Sequence, residues 1–379
     1  MTTAQVEILV IGILTAASCA LVGSFLILRK MAMMSDAIGH TILLGIVIAF
    51  FITQDLSSPL LIIGAAFTGV ITVFLVEMLQ KTNLVSEDSS IGIIFPFLFS
   101  IGIIMISMYA GSVHLDVDAV LLGELAFAPF DRFIVNGVDL GAKSLYVMGV
   151  VFLIDLIYII LFYKELKIVT FDASLAAVMG ISPVIIHYSL MSLVSITAVG
   201  AFNAVGTILV VALIVVPPTT AYFLMEDLRS MILWSVIFGI LSGILGIFMA
   251  FYLDVSIAGS ISVMTGVIFA IVFIFSPKKG LLTIIQRRRN QKYEFAELSL
   301  LIHLFNHEDT DREEIELNPQ NIIEHFKWNK KFLKAVLEQL IKDGYVEFEK
   351  DLLKINKKGM EYLKTNSIYN INDNKTCCN

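Results

Sequence analysis

From Val6 to Phe275 the chain is an almost unbroken series of apolar runs near twenty residues long, separated by short polar breaks. A helix of that length crosses a hydrocarbon core about 30 Å thick. The pattern predicts nine membrane-spanning helices, at about 7–28, 37–53, 60–79, 91–110, 144–163, 184–203, 206–225, 231–252 and 259–276. The first follows "MTTAQVE", which lacks a basic leader, so it reads as a retained span and not as a cleaved signal. Pro217 and Pro218 fall late in the seventh run, where they kink or end a helix. Gly239 and Gly243, four residues apart, permit close packing against a neighbouring helix.

Two stretches break the pattern. Between the fifth and sixth runs lies "YKELKIVTFDASLAAVMGISP". Phe171 to Met179 reads as a short helix stopped by Gly180 and followed by Pro183, too short to span. It suits either a rigid element that receives force from a motor subunit or a helix lying on the headgroups. After Pro277 the periodicity becomes that of a small soluble domain. "EFAELSLLIHLF", "NPQNIIEHF" (capped by Asn318) and "NKKFLKAVLEQLIKDGY" (closed by Gly344) predict three helices. "VEFEKDLLKINKKG" alternates like a two-stranded hairpin. Three helices and a hairpin describe a winged helix-turn-helix. The predicted fold is an all-α membrane bundle over residues 1–280, a basic linker at 281–292, a winged-helix-like domain at 293–365 and a disordered tail at 366–379.

Composition and charge sharpen this division. The chain is 57% hydrophobic and 16% charged, with a mean hydropathy of +0.86, which excludes an ordinary soluble protein. Residues 1–277 hold 8 Lys and Arg against 17 Asp and Glu; the remainder holds 18 against 16. Arg29, Lys30, Lys81, Lys164, Lys167 and Arg229, followed by Lys278 and Lys279, fall in alternate loops and only Arg132 and Lys143 in the others, a bias that predicts an outside N-terminus and a cytoplasmic C-terminal domain. The outer loops carry Glu7, Asp55, Asp116, Asp118, Glu124, Asp131, Asp139 and Asp254, an acidic mouth that concentrates cations. Cys19, Cys377 and Cys378 form neither a disulfide framework nor a metal-ligand spacing.

Ionisable groups in a membrane domain are expensive and mark function by default. Asp36 and His40, in "MMSDAIGHTILLGIVIAF", are four residues apart and share a helix face. A carboxylate and an imidazole without a thiolate suit a divalent first-row metal ion. The alternative is an Asp–His hydrogen bond that only satisfies both groups. Glu124, in "DAVLLGELAFAP", is a further candidate, although an outer-loop glutamate is commonly just solvated. His114, Asp116 and Asp118 alternate in "HLDVD" and read as a solvated loop; His187 reads as a lone structural histidine. The chain has no H-E-x-x-H, and "GVDLGAKS" has the wrong spacing for a phosphate-binding loop, so nucleotide hydrolysis is expected on another chain.

Five stretches together resemble one family: "MAMMSDAIGHTILLGIVIAF", "EDSSIGIIFPFLFSIGIIMIS", "HLDVDAVLLGELAFAPFD", "FDASLAAVMGISPVIIHYSLM" and "AVGTILVVALIVVPPTTAYFL". In order, over about residues 5–280, they are similar to the permease subunits of manganese/zinc/iron ABC importers. The resemblance implies a homodimeric pore in a bacterial cell membrane, cytoplasmic ATPase subunits and an extracytoplasmic solute-binding protein. The transported ion would be Mn²⁺ first, with Zn²⁺ and Fe²⁺ accommodated by the same ligands, and no permanently bound cofactor is implied. It places Asp36 and His40 on the ion-pathway helix and Glu124 near the outer gate. Phe171, Asp172, Ala176 and Gly180 fall in the helix that docks on the ATPase. The C-terminal domain resembles the winged helix of metal-dependent repressors, without their separate metal-binding and dimerisation domain. That leaves a membrane-tethered transcription regulator as the competing reading, with Lys330, Lys331 and Lys334 as its basic face. The nearly balanced charge of the domain disfavours nucleic acid. A secondary carrier without an ATPase would leave the short inner helix without a purpose.

Overall fold

The computed structural model describes residues 3–54, 58, 60–109, 125–135, 138–308, 310, 313–349 and 352–366. It divides at Gly280 into two compact units, Met1–Gly280 and Leu281–Asn379.

Among the described residues of the first unit, nine helices are long and apolar enough to cross a membrane. They are α1 (Thr3–Leu28), α2 (Met34–Thr53), α3 (Leu60–Gln80), α4 (Glu87–Tyr109), α5 (Lys143–Leu161), α8 (Pro183–Val205), α9 (Thr207–Leu224), α10 (Leu228–Leu253) and α11 (Ile257–Phe275). An antiparallel hairpin, β1 (Arg132–Val135) and β2 (Val138–Ala142), precedes α5. Two short helices follow it, α6 (Tyr163–Phe171) and α7 (Ala173–Val178). The predicted single helix over Phe171–Met179 is therefore two: Phe171 ends α6, and Asp172 caps α7 by accepting a bond from the Leu175 N–H at 2.8 Å.

Helix α1 is the hub. It packs against α5, α8, α9 and α10, and α2 and α3 pack against each other and, like α5, against α8. Lipid and apolar side chains solvate a helix about equally well, so association depends on close backbone approach. Small residues supply it. The α2–α3 crossing sets Gly45 against Gly64 and Thr68, where a Cβ would collide with backbone and hydroxyl. Pro217 and Pro218 neither end nor divide α9, which continues to Leu224. Pro218 has no N–H for the Ile214 carbonyl, and Gly23 of α1 lies directly over that carbonyl, where any side chain would clash. Hydroxyls within the spans mostly donate to the carbonyl four residues earlier, as Thr15, Ser24, Thr219 and Thr220 do. Among the described residues of the spans, the buried Ser18 hydroxyl of α1 is an exception, with no hydrogen-bond partner.

The second unit comprises α12 (Leu281–His307), α13 (Glu313–Glu316), α14 (Pro319–Phe326), α15 (Lys330–Lys342), the antiparallel hairpin β3 (Val346–Glu349) and β4 (Leu352–Ile355), and α16 (Lys357–Asn366). Residues 281–292, expected as a linker, are helical and form the first half of α12. The final helix α16 was not expected. Asn356 starts it by accepting from the N–H groups of Lys358 and Gly359 at 2.9 and 3.0 Å. The core is Leu300, Leu301, Leu304, Ile322, Val336 and Leu340 with their neighbours, sealed by Val346, Leu353 and Leu363. The expected tail lies, from residue 367 on, outside the described residues, as do Cys377 and Cys378.

Close approach at α2–α3 has a direct test. Gly45→Val should abolish recovery of monodisperse protein from detergent extracts. Gly266→Ala, with nothing within 4 Å of the new Cβ, should leave it unchanged.

Candidate functional site

Helix α2 is buried along most of its length, with Ala37, Ile38, Gly39, Thr41, Ile42 and Leu43 all turned into the bundle. Asp36 and His40 are the exceptions in its first two turns, with side chains 41% and 34% exposed. Their i, i+4 spacing sets them on one stripe, with His40 Nε2 3.6 Å from Asp36 Oδ1. That is an electrostatic contact longer than a good hydrogen bond. The imidazole is positioned by two rings of α4, Phe95 at 5.2 Å and Phe99 at 5.9 Å between centroids. Among the described residues no third ligand gathers on this pair. Glu124, His114, Asp116 and Asp118 lie outside the described residues.

The other side of α2 is closed. Gly39, Ile42, Leu43 and Ile46 face Val199, Phe202, Asn203 and Thr207 across a cavity of about 20 Å³. That is room for roughly one water.

A second polar cluster sits where the basic loops converge. Arg29, just after α1, donates from Nε to Thr170 Oγ1 of α6 at 3.1 Å, and its Nη1 lies 3.2 Å from His187 Nδ1. A guanidinium only donates, so Nδ1 accepts and the imidazole proton sits on Nε2, which contacts Glu77. Tyr188 donates to the other Glu77 oxygen at 2.8 Å. His187 is thus not a lone histidine: it joins the ends of α1, α3 and α8 to the α6–α7 elbow. A depression of about 380 Å³ opens beside the cluster, lined by Arg29, Glu77, His187, Val169 and Ala173.

The elbow itself is defined by its ends. Asp172 caps α7 at the start. At the finish the N–H groups of Ile181 and Gly180 reach back to the carbonyls of Ala176 and Ala177 at 3.0 and 3.1 Å. Gly180 holds φ +84°, which L side chains resist. Ala176 is buried, and the exposed face is apolar: Leu175, Met179 and Val178, the last 87% exposed. Phe171 is exposed beside it. Of the four residues expected to dock on the ATPase, Phe171, Asp172 and Gly180 are exposed and only Ala176 is buried, while Leu175, Val178 and Met179 add an apolar exposed face.

One buried acid escapes the sequence reading. Asp155, in "VVFLIDLIYII" of α5, has no solvent exposure, and Thr197 Oγ1 of α8 lies 2.9 and 3.0 Å from its two oxygens. A carboxylate inside an apolar run is itself the signal that identifies it.

Comparison with known proteins follows the same division. The family model described as the ABC 3 transport family matches residues 2–276. The zinc transport system membrane protein TroD of Treponema pallidum is 41% identical over 354 residues, 93% of this chain and 96% of TroD. That alignment is longer than the first unit and extends into the second. The manganese transport system membrane protein MntD of Bacillus subtilis is 44% identical over 289 residues, 76% of this chain and 98% of MntD. A solved structure of PsaBC from Streptococcus pneumoniae in complex with Fab superposes with a TM-score of 0.62 at 30% identity, covering 75% of this chain and 96% of that one.

The Asp155–Thr197 contact generates a stability test. Thr197→Val leaves the buried carboxylate without its described partner and should lower unfolding stability by about 1–2 kcal/mol, read in a thermal melt of the purified chain. Asp155→Asn, which keeps an acceptor for Thr197, should lose less.

Proposed function

The chain belongs to the ABC 3 transport family, and from that premise we propose that it is the permease subunit of an ATP-driven importer of divalent first-row metal ions, with Asp36 and His40 as ligands along the ion's route. The observation that carries this reading is the placement of the pair. They occupy the one open stripe in the first two turns of a helix that is buried along most of its length. Two groups this costly in hydrocarbon are kept on a free face because something outside the protomer meets them there. A carboxylate oxygen and an imidazole nitrogen suit Mn²⁺, and Zn²⁺ and Fe²⁺ are met by the same atoms. The curated relatives named above are zinc and manganese transport proteins.

Two ligands do not complete a coordination sphere, and the cavity on the other side of α2 has room for only about one water. The route is therefore completed by a second copy of the chain, as a homodimer with paired α2 stripes, and by Glu124 at the outer mouth. An extracytoplasmic binding protein hands the ion to that mouth, where acidic loops attract it. ATP is hydrolysed on a separate cytoplasmic subunit that seats the apolar face of α7. Movement there reaches the bundle through Thr170, Arg29, His187 and Glu77, whose contacts tie the elbow to α1, α3 and α8. The second unit, with its helices and hairpin in winged-helix order, lies in the cytoplasm and adjusts transport without forming the pathway.

Two measurements check this reading. Asp36→Ala and His40→Ala should each reduce uptake of radioactive manganese by tenfold or more, with membrane level and co-purification of the ATPase subunit unchanged; uptake at the parental rate by well-folded variants would end the metal-route assignment. Leu175→Asp combined with Val178→Asp should abolish co-purification of the ATPase subunit while the chain still inserts. These positions, unlike Gly180, carry no backbone constraint, so loss of binding is not confused with loss of fold.

A further inference from the structure

The second unit holds a cluster that neither the transport reading nor the winged-helix resemblance uses. His303 and His307 lie one turn apart on α12, with ring centroids 4.6 Å apart. Helix α13 brings Glu316 to them. Leu317, the next residue, is buried in the core and its carbonyl accepts from the Leu353 N–H of β4 at 3.3 Å, which fixes where Glu316 stands. His303 is buried, with Nε2 3.2 Å from the Glu316 backbone oxygen and 3.8 Å from its carboxylate Oε2. One ligating atom from each of His303, His307 and Glu316 lies within 4.8 Å of the other two, and among the described residues no other three His, Cys, Asp or Glu side chains meet that condition. A fourth donor is near: the His325 ring, on α14, is 4.7 Å from that of His303 and exposed.

We propose that His303, His307 and Glu316 form a binding site for one divalent first-row transition-metal cation, with His325 as a fourth donor within reach. Two imidazoles and a carboxylate without a thiolate select ions of the Mn²⁺–Zn²⁺ series over Cu(I), and the imidazoles disfavour Mg²⁺ and Ca²⁺, which take oxygen. Ligand bonds of about 2.1 Å hold neighbouring donors roughly 3–4 Å apart, so side-chain adjustments of about an ångström close the present spacing. The i, i+4 histidine pair on a long helix supplies two ligands on one rigid element. Glu316 arrives from a separate helix, so an occupied site fastens α12 to α13. Resting on the transport reading, this places a sensor for the transported ion on the same chain as its pathway.

Purified, metal-stripped full-length chain carrying Asp36→Ala and His40→Ala, which silences the pathway ligands, is titrated with Co²⁺ as the spectroscopic probe. The expected result is one Co²⁺ per chain with visible ligand-field absorption. Adding His307→Ala or Glu316→Gln should weaken binding by at least the tenfold to hundredfold that even outer-shell changes cause, and should abolish the absorption. Glu316→Gln is nearly isosteric and guards against a folding defect in the histidine variant; an unchanged metal-free melt confirms that guard. Co²⁺ binding unaltered by both substitutions, or no binding at all in the starting variant, overturns the proposal. Manganese uptake, measured with Asp36 and His40 intact, fails or succeeds independently of this titration and so separates the site from the transport reading.

Discussion

The membrane unit depends on close backbone approach between its helices, and α1 shows it most fully. In hydrocarbon, water does not drive apolar surfaces together, so helices associate where their backbones touch and their polar groups are already bonded. Gly23 lies over the Ile214 carbonyl that Pro218 cannot serve, and Ala16 and Ala20 receive Gly239 of α10. One helix thereby contacts four others, and the polar groups with costly chemistry can be set with precision around it. Asp155 is a measure of that closure: it sits without solvent exposure because Thr197 is held at bonding distance by the α5–α8 contact.

Against this closed interior, two polar clusters differ in character. Asp36 and His40 are left open on one stripe, loosely paired and backed by phenylalanine rings. Arg29, His187 and Glu77 are tightly interlocked and bridge four elements. The first arrangement suits groups that exchange a partner, since a 3.6 Å contact gives up little when an ion intervenes. The second suits transmission, since no member can move without displacing the next.

The spans were legible because hydropathy reports directly on the solvent each helix must face. Their ends were less so. Helix α4 starts at Glu87, before the predicted 91, because the polar "EDSS" forms its first turn, where Asp88 favours the helix dipole and hydropathy sees only charge. The split between α6 and α7 was hidden because "YKELKIVTF" is too polar for a span yet continues helically from one. On a six-residue helix no periodicity can tell the buried Ala176 from the exposed Leu175 and Val178. Arg29, Glu77 and His187 are far apart in sequence, and only the folded bundle brings them together. In the second unit the histidine pair is visible as i, i+4 spacing, but Glu316 reaches it from another helix, and no spacing rule joins them.

The brevity of α7 has a pharmacological side. Six residues cannot sustain a helix in water, where nucleation costs more than so few bonds return. Here the turn exists because Asp172 and the Gly180 reversal bound it and the bundle fixes both ends. A linear peptide copying residues 171–181 would have to order its backbone on binding, at about 1–2 kcal/mol per residue, and would compete poorly for any surface that α7 occupies. A cyclised or stapled copy that presents Leu175, Val178 and Met179 on one fixed turn would escape most of that loss. It is the form in which an inhibitor of the proposed ATPase contact would be worth making.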